Sequence, residues 1–319
     1  MEKKFELMLR AQFKITGLKF EDYVKPDNNL NWHKLIDYIV TGKRVNLKLF
    51  EKIFEIGLKL SNTAEQKDFY DALNSNKPYD KFQSPPLIYA VRNNNYKLVN
   101  FLLNIGTTMS GILGIDVNIV GLDRKNALFI AIEINDVEMV KLLLTASNLW
   151  NNYGCSKSYT TPLIKACMNN NIEIVKLLLK NPIVVDINQQ DHYLKTALMY
   201  ACTYNNLEIV KLFLSSPRID VNRKDLEGNT ALIWAMQYRN INIEIIRLLI
   251  NRFDTDINHM NHNKTNAILL ALHQKRKDIF KLLSEHKGVL PGRDRYYYVT
   301  NKDGSETIIP VTWENMGKM

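Results

Sequence analysis

Glycine and proline are scarce in this chain of 319 residues, with 13 and 9 copies, and cysteine is scarcer still with three. So few turn and breaker residues, beside 46% hydrophobic and 10% aromatic side chains, exclude a collagen-like, low-complexity or disordered chain and imply a folded core. The cysteines, Cys155, Cys167 and Cys202, form no C-x-x-C pair, which excludes a zinc module or disulfide framework and suits a reducing compartment. No apolar run reaches the roughly 18 residues of a membrane-spanning helix, and the opening MEKKFELMLRAQFKITGLKF places charges where a secretory leader would be apolar. A soluble, intracellular, cytoplasmic protein is expected. The motifs H-E-x-x-H, G-x-x-x-x-G-K-[ST], G-x-G-x-x-G and G-x-S-x-G are missing too, so no enzymatic activity, cofactor or metal site is expected. His259 and His262 are expected on a hairpin surface rather than on a metal.

Charge of one sign is present but thinly spread. The formal net charge is +9, divided as +3 over residues 1–84, +6 over 85–287 and zero over 288–319. A dedicated phosphate reader concentrates Lys and Arg on one face. The densest group here is Lys275, Arg276, Lys277 and Lys281, with Arg293 and Arg295 beyond it. Electrostatic association with nucleic acid or an anionic membrane is therefore the secondary reading.

What the chain has in quantity is self-similarity. Units start at 85, 126, 161, 196, 230 and 266, the spacings being 41, 35, 35, 34 and 36 residues. TPLIKACMNNNIEIVKLLL from Thr161 and TALMYACTYNNLEIVKLFL from Thr196 show the pattern. An alanine recurs five residues after each start, as Ala90, Ala131, Ala166, Ala201, Ala235 and Ala271, which predicts a close helix contact at that position. Cys167 and Cys202 follow two of these alanines and are expected to fill the core. A second helical stretch, such as Glu173 to Leu179, begins about twelve residues in, so the unit is helix-turn-helix. Asn94, Asn135, Asn170 and Asn205 share the slot between the helices, where the chain must reverse. Asp116-Val117-Asn118, Asp186-Ile187-Asn188, Asp220-Val221-Asn222 and Asp256-Ile257-Asn258 mark the connection to the next unit.

These motifs resemble the ankyrin repeat: T-P-L-H-x-A, a short helix, a turn, E-I-V-K-L-L-L, then D-V-N and a finger-like hairpin. The resemblance covers about residues 84–287 and implies an all-α solenoid of six stacked units. Departures are visible: the family's His is replaced by Ile88, Phe129, Ile164, Met199, Ile233 and Leu269, and hairpin glycines are mostly missing. The first unit also carries an insertion at 107–115, and the connection at 148–159 lacks the D-x-N triplet. Residues 1–83 read as a helical cap or degenerate repeat. Its apolar stretches are Leu35 to Val40 and Leu49 to Phe54, followed by a helix capped at Asn62 with Glu65, whose apolar face carries Phe69, Tyr70 and Leu73. Residues 288–319 contain two strand-like runs, Tyr296 to Thr300 and Thr307 to Trp313, about Asp303-Gly304, which predict a hairpin.

Function then follows by analogy: a non-enzymatic scaffold or adaptor that binds another protein on a concave face; the alternatives are the electrostatic association above and an activity borne by the flanks that the repeats target to substrates. Family geometry points to the seventh and eighth residues after each start: Arg92 and Asn93, Glu133 and Ile134, Met168 and Asn169, Thr203 and Tyr204, Gln237 and Tyr238, His273 and Gln274. Tyr89, Lys165, Tyr200 and Trp234, four residues after their starts, border the same surface. With Tyr193 near a hairpin tip, the aromatics would form a patch over the fourth and fifth units, the composition of a binding hot spot.

Overall fold

The structure, a computed structural model, describes residues 3–26, 30–42, 47–48, 50–52, 63–75, 83–107, 115–146, 149, 160–181, 185–238, 240–286, 296–300 and 306–310. The chain divides into two compact units, Met1–Lys157 and Ser158–Met319. The division falls within the connection that lacks the D-x-N triplet.

The first unit opens with α1 (Lys3–Thr16), a short 3-10 turn (Phe20–Tyr23), α2 (Trp32–Thr41) and α3 (Thr63–Leu73). Helix α1 falls within the expected helical region 1–83, although no apolar periodicity marks its bounds. Its Phe13 is buried and meets the edge of Phe20 at 5.3 Å, and Trp32 of α2 meets Phe69 of α3 at 4.9 Å. Two helix pairs follow: α4 (Pro86–Arg92) with α5 (Tyr96–Thr107), and α6 (Ala127–Glu133) with α7 (Val137–Leu143). Helix α2 packs on α3 and α4, and α4 packs on α6. Asn62 lies outside the described residues, as do Leu49, Ile53 and Phe54 and the side chains of Glu65 and Tyr70.

The second unit holds four pairs: α8 (Pro162–Met168) with α9 (Ile172–Leu179), α10 (Ala197–Thr203) with α11 (Leu207–Leu214), α12 (Ala231–Met236) with α13 (Ile243–Ile250), and α14 (Ala267–His273) with α15 (Lys277–Ser284). First helices pack on first helices and second helices on second, giving two layers. Strands β1 (Tyr296–Thr300) and β2 (Glu306–Pro310) pair antiparallel, with Tyr298 opposite Ile308. The expected hairpin is present, its second strand described one residue earlier than foreseen; Asp303 and Gly304 lie outside the described residues.

Local chemistry explains each pair. Side-chain oxygens of Asn126, Thr161, Thr196 and Asn266 accept N–H groups from the first turn of their helices, at 2.8, 3.1, 3.3 and 3.0 Å. Thr230 occupies the same slot without such a bond, and its hydroxyl is buried unpartnered. The repeat alanines are fully buried, so no larger side chain fits where the helices touch. At the reversal, Asn94, Asn135, Asn170 and Asn205 adopt φ of 52°, 61°, 56° and 56°. The polar residue that follows each of them, Asn95, Asp136, Asn171 or Asn206, caps the second helix through its side chain. The recurrent polar pair, Asn followed by Asn or Asp, thus ends one helix and starts the next. In the last pair Lys275 takes the left-handed conformation at φ 57°, and Arg276 contributes no side-chain cap.

The D-x-N asparagines tie neighbouring connections together. Asn188 accepts from the Asp220 backbone N–H at 2.8 Å and donates to the Arg218 carbonyl at 2.7 Å; Asn222 repeats this with Asp256, at 2.8 Å, and with Asp254. In the first unit Asn74, just after α3, accepts from the Asp116 N–H at 2.8 Å. The segment before the first pair thus ends on the same asparagine bond that joins consecutive repeats. Among the described residues no helix is long and apolar enough to cross a membrane.

Candidate functional site

The surface with the most built-in chemistry is the finger side of the second unit. Each of its three described fingers closes on one tight turn. Leu194 donates its N–H to the Asp191 carbonyl, Gly228 to Asp225 and Lys264 to Asn261, at 2.9, 3.0 and 2.9 Å, and each donor sits at positive φ. The geometry that usually needs glycine persists where glycine is missing. Only at Gly228 of these three is it glycine, and there a Cβ would lie 2.9 Å from the His262 ring.

Two buried aspartates hold the fingers rigid. One carboxylate oxygen of Asp225 accepts from the backbone N–H groups of Glu227 and Asn229, at 2.9 and 2.7 Å, while the other accepts from the Trp234 indole at 2.7 Å. Asp191 does the same with Tyr193 and Lys195, both at 2.9 Å, and with the Tyr200 hydroxyl at 2.7 Å. Burial, together with the bond to Asp191 and the neighbouring Tyr204 and Tyr193 hydroxyls, pushes the Tyr200 hydroxyl well above the ordinary tyrosine range. Fingers also join one another: Leu226 donates to the Tyr193 carbonyl at 3.1 Å and His262 to the Glu227 carbonyl at 3.0 Å. His259 bonds the Gly228 carbonyl at 2.7 Å through its ring and is largely covered, so it belongs between fingers rather than on their surface.

Above this frame lies Lys195. Its ammonium sits 3.8 Å from the centre of the Trp234 ring, with Tyr193 at 5.8 Å and Tyr200 at 6.0 Å. No carboxylate among the described residues pairs with it. Tyr193, Tyr204 and Tyr238 are exposed to 51%, 45% and 45%, whereas Tyr200 and Trp234 are half-buried. Tyr193, Tyr200 and Trp234 are therefore brought together around Lys195, with Tyr204 beside Tyr200. Tyr238 lies one repeat further on.

Other sequence-nominated residues are committed differently. Thr203 donates its hydroxyl to the Met199 carbonyl at 2.9 Å. Lys165, Met168 and Asn169 are half-buried, and Gln237 and His273 are exposed. Gln274 bonds the Met236 carbonyl through its side-chain amide. In the first unit, Arg92 pairs with Asp123 at 2.5 Å and Glu133 with Lys125 at 2.7 Å, Tyr89 is half-buried, and Asn93 and Ile134 are exposed.

Sequence reasoning missed Asp191, Asp225 and Lys195. The signal exists, since Asp191, Asp225 and Asn261 all stand five residues before a repeat start. Cys167 and Cys202 are fully buried free thiols, and burial pushes both upward, Cys202 to about 12. Cys155 lies outside the described residues. Among the described residues no cluster of His, Cys, Asp and Glu could hold a metal.

A family model described as Ankyrin repeats (3 copies) matches residues 87–191, 147–225 and 218–294. The crystal structure of EF0377, an ankyrin repeat protein, superposes with a TM-score of 0.54 at 24% identity, covering 63% of this chain and 97% of that one. The ankyrin repeat domain of Bcl-3, a member of the IkappaB protein family, superposes with a TM-score of 0.57 at 19% identity, covering 78% and 97%. No curated protein matches the sequence.

Proposed function

The chain belongs to the ankyrin repeat family, and from that premise we propose that it is an adaptor whose second unit grips a partner protein across its fingers and first helices. Ankyrin repeats are in general protein-protein interaction modules and are generally not enzymes. The observation that carries the finer reading is the aromatic cluster around Lys195. Its rings are held by buried carboxylates and not by a partner, so little side-chain freedom remains to be lost on binding. Tyrosine and tryptophan beside an unpaired ammonium give both the apolar anchor and the polar contact of a hot spot. Tyr204 and Tyr238 extend that surface along the first helices, with Thr203, Met168 and Gln237 beside them.

On this reading the chain divides into a helical cap over 1–83, six repeats over 84–287 and a tail over 288–319. It is supported by the helix pair at each start and by the asparagine bond from Asn74 to the first connection. A reducing, cytoplasmic setting is supported by the free buried thiols. The electrostatic alternative loses support, because Arg276 is bonded to Asp278 at 2.9 and 2.7 Å and Lys281 lies 4.0 Å from Glu285.

The test is retention of protein from native lysate by the full chain and by its Tyr204→Ala/Tyr238→Ala variant, at low and high salt. A protein held at both salts by the wild type and lost by the variant is expected. Retention at low salt only, or of nucleic acid, would contradict the reading.

A further inference from the structure

Consecutive second helices of the outer layer leave a gap at their C-terminal ends, and two successive gaps are filled in opposite ways. Between α11 and α13, Arg252 reaches across: its guanidinium bonds the Leu214 carbonyl at 2.8 Å and both Asp254 oxygens at 2.8 Å. Lys211 of α11 pairs with Glu208 of the same helix at 2.9 Å. Both cations, Arg252 and Lys211, thus have a carboxylate partner.

One repeat earlier, between α9 and α11, the matching residues differ. Counting back from the D-x-N triplets, Ser216 stands where Arg252 stands, and Arg218 stands where Asp254 stands. Serine is too short to span the gap, and the carboxylate has become a cation. A groove of about 260 Å³ remains, with Leu179 and Leu212 among its lining, Ser215 and Ser216 beside them, and Lys176, Lys180 and Arg218 at its edge. The three cations are exposed, and none is paired with a carboxylate among the described residues. The backbone around Arg218 is fixed, since Asn188 donates to its carbonyl at 2.7 Å.

We propose that this groove docks an acidic, leucine-containing segment of a partner polypeptide, whose carboxylates take the place that Asp254 fills in the next gap. Three positive groups around an apolar floor suit alternating Glu and Leu side chains. The groove is too small and too apolar for a nucleic-acid backbone, which is tracked by a long basic stripe. It lies on the second helices, away from the aromatic cluster, and so provides a second contact independent of the first.

The probe is a short fluorescein-labelled Glu/Leu peptide titrated with the full chain, read by fluorescence anisotropy. Binding that weakens with salt is expected, with a loss of about tenfold or more in Arg218→Asp and in Lys176→Ser/Lys180→Ser/Arg218→Ser. The Tyr204→Ala/Tyr238→Ala and Lys275→Ser/Lys277→Ser variants should bind as the wild type does. Circular dichroism checks that each variant folds. Unchanged affinity in the groove variants, equal loss in the tyrosine variant, or equally tight binding of a single-stranded oligonucleotide would overturn the proposal.

Discussion

At the scale of single residues, the array depends on positions where only one size or one backbone conformation fits. Ala201 is fully enclosed where α10 meets its neighbours, so Ala201→Leu should cost about 1–3 kcal/mol through overpacking. An unchanged urea midpoint would contradict that contact. Leu194 and Lys275 sit at φ 57° without the freedom of glycine. Leu194→Gly should stabilise the second unit by about 0.5–1 kcal/mol, the released strain outweighing the added freedom of the unfolded chain; a lower thermal midpoint would show that the strain is not there. The buried thiols give a third check. In a Cys155→Ser background, Cys167 and Cys202 should react with a disulfide reagent only once the chain unfolds, because burial removes both access and thiolate. Prompt reaction in the native state would contradict their burial.

At the scale of elements, the finger is a small device built on one carboxylate. Asp225→Ala removes the acceptor of two backbone N–H groups and of the Trp234 indole, and should destabilise by about 2–3 kcal/mol while quenching or shifting tryptophan emission. Stability loss with Trp234 emission unchanged would mean that the indole is held otherwise. The loop after α13 is pinned by Arg252, whose bond to Asp254 holds that carboxyl below the ordinary aspartate range. A lowered carboxyl contributes stability above its unfolded pKa and loses it as pH falls. Acidification below about pH 4 should therefore loosen residues 252–255, leaving Phe253, already almost wholly exposed, more mobile. Fluorine NMR of a labelled Phe253 should broaden or shift there, and Asp254→Asn should already show the acid signal at neutral pH. The helix pairs were legible because repetition multiplied each signal: six alanines and four asparagines at fixed offsets leave little freedom in register. The fingers were less legible, since their turn is made by backbone geometry that Arg124, Leu194 and Lys264 adopt without any compositional mark. Helix α1 was hidden for a different reason: charges interrupt its apolar residues, and of those residues Leu7 and Ile15 are exposed while Phe13 is buried.

At the scale of the molecule, an array built from near-identical units gains specificity only where units differ. The aromatic surface is such a place: Tyr200 and Trp234 occupy one repeat position, Lys165 and Leu270 occupy it on either side, and Lys195 stands over the junction. The sequence made those aromatics visible as candidates, but not the pair of aspartates that orients them, because that bond joins residues from two elements. The most direct test of this account places a photo-crosslinking phenylalanine analogue at position 204 or 238 of the full chain in native extract. A discrete crosslinked polypeptide is expected, competed away by unlabelled wild type but not by the Tyr204→Ala/Tyr238→Ala variant. A crosslink that both competitors suppress equally, or that forms at neither position, would contradict a protein-binding face there.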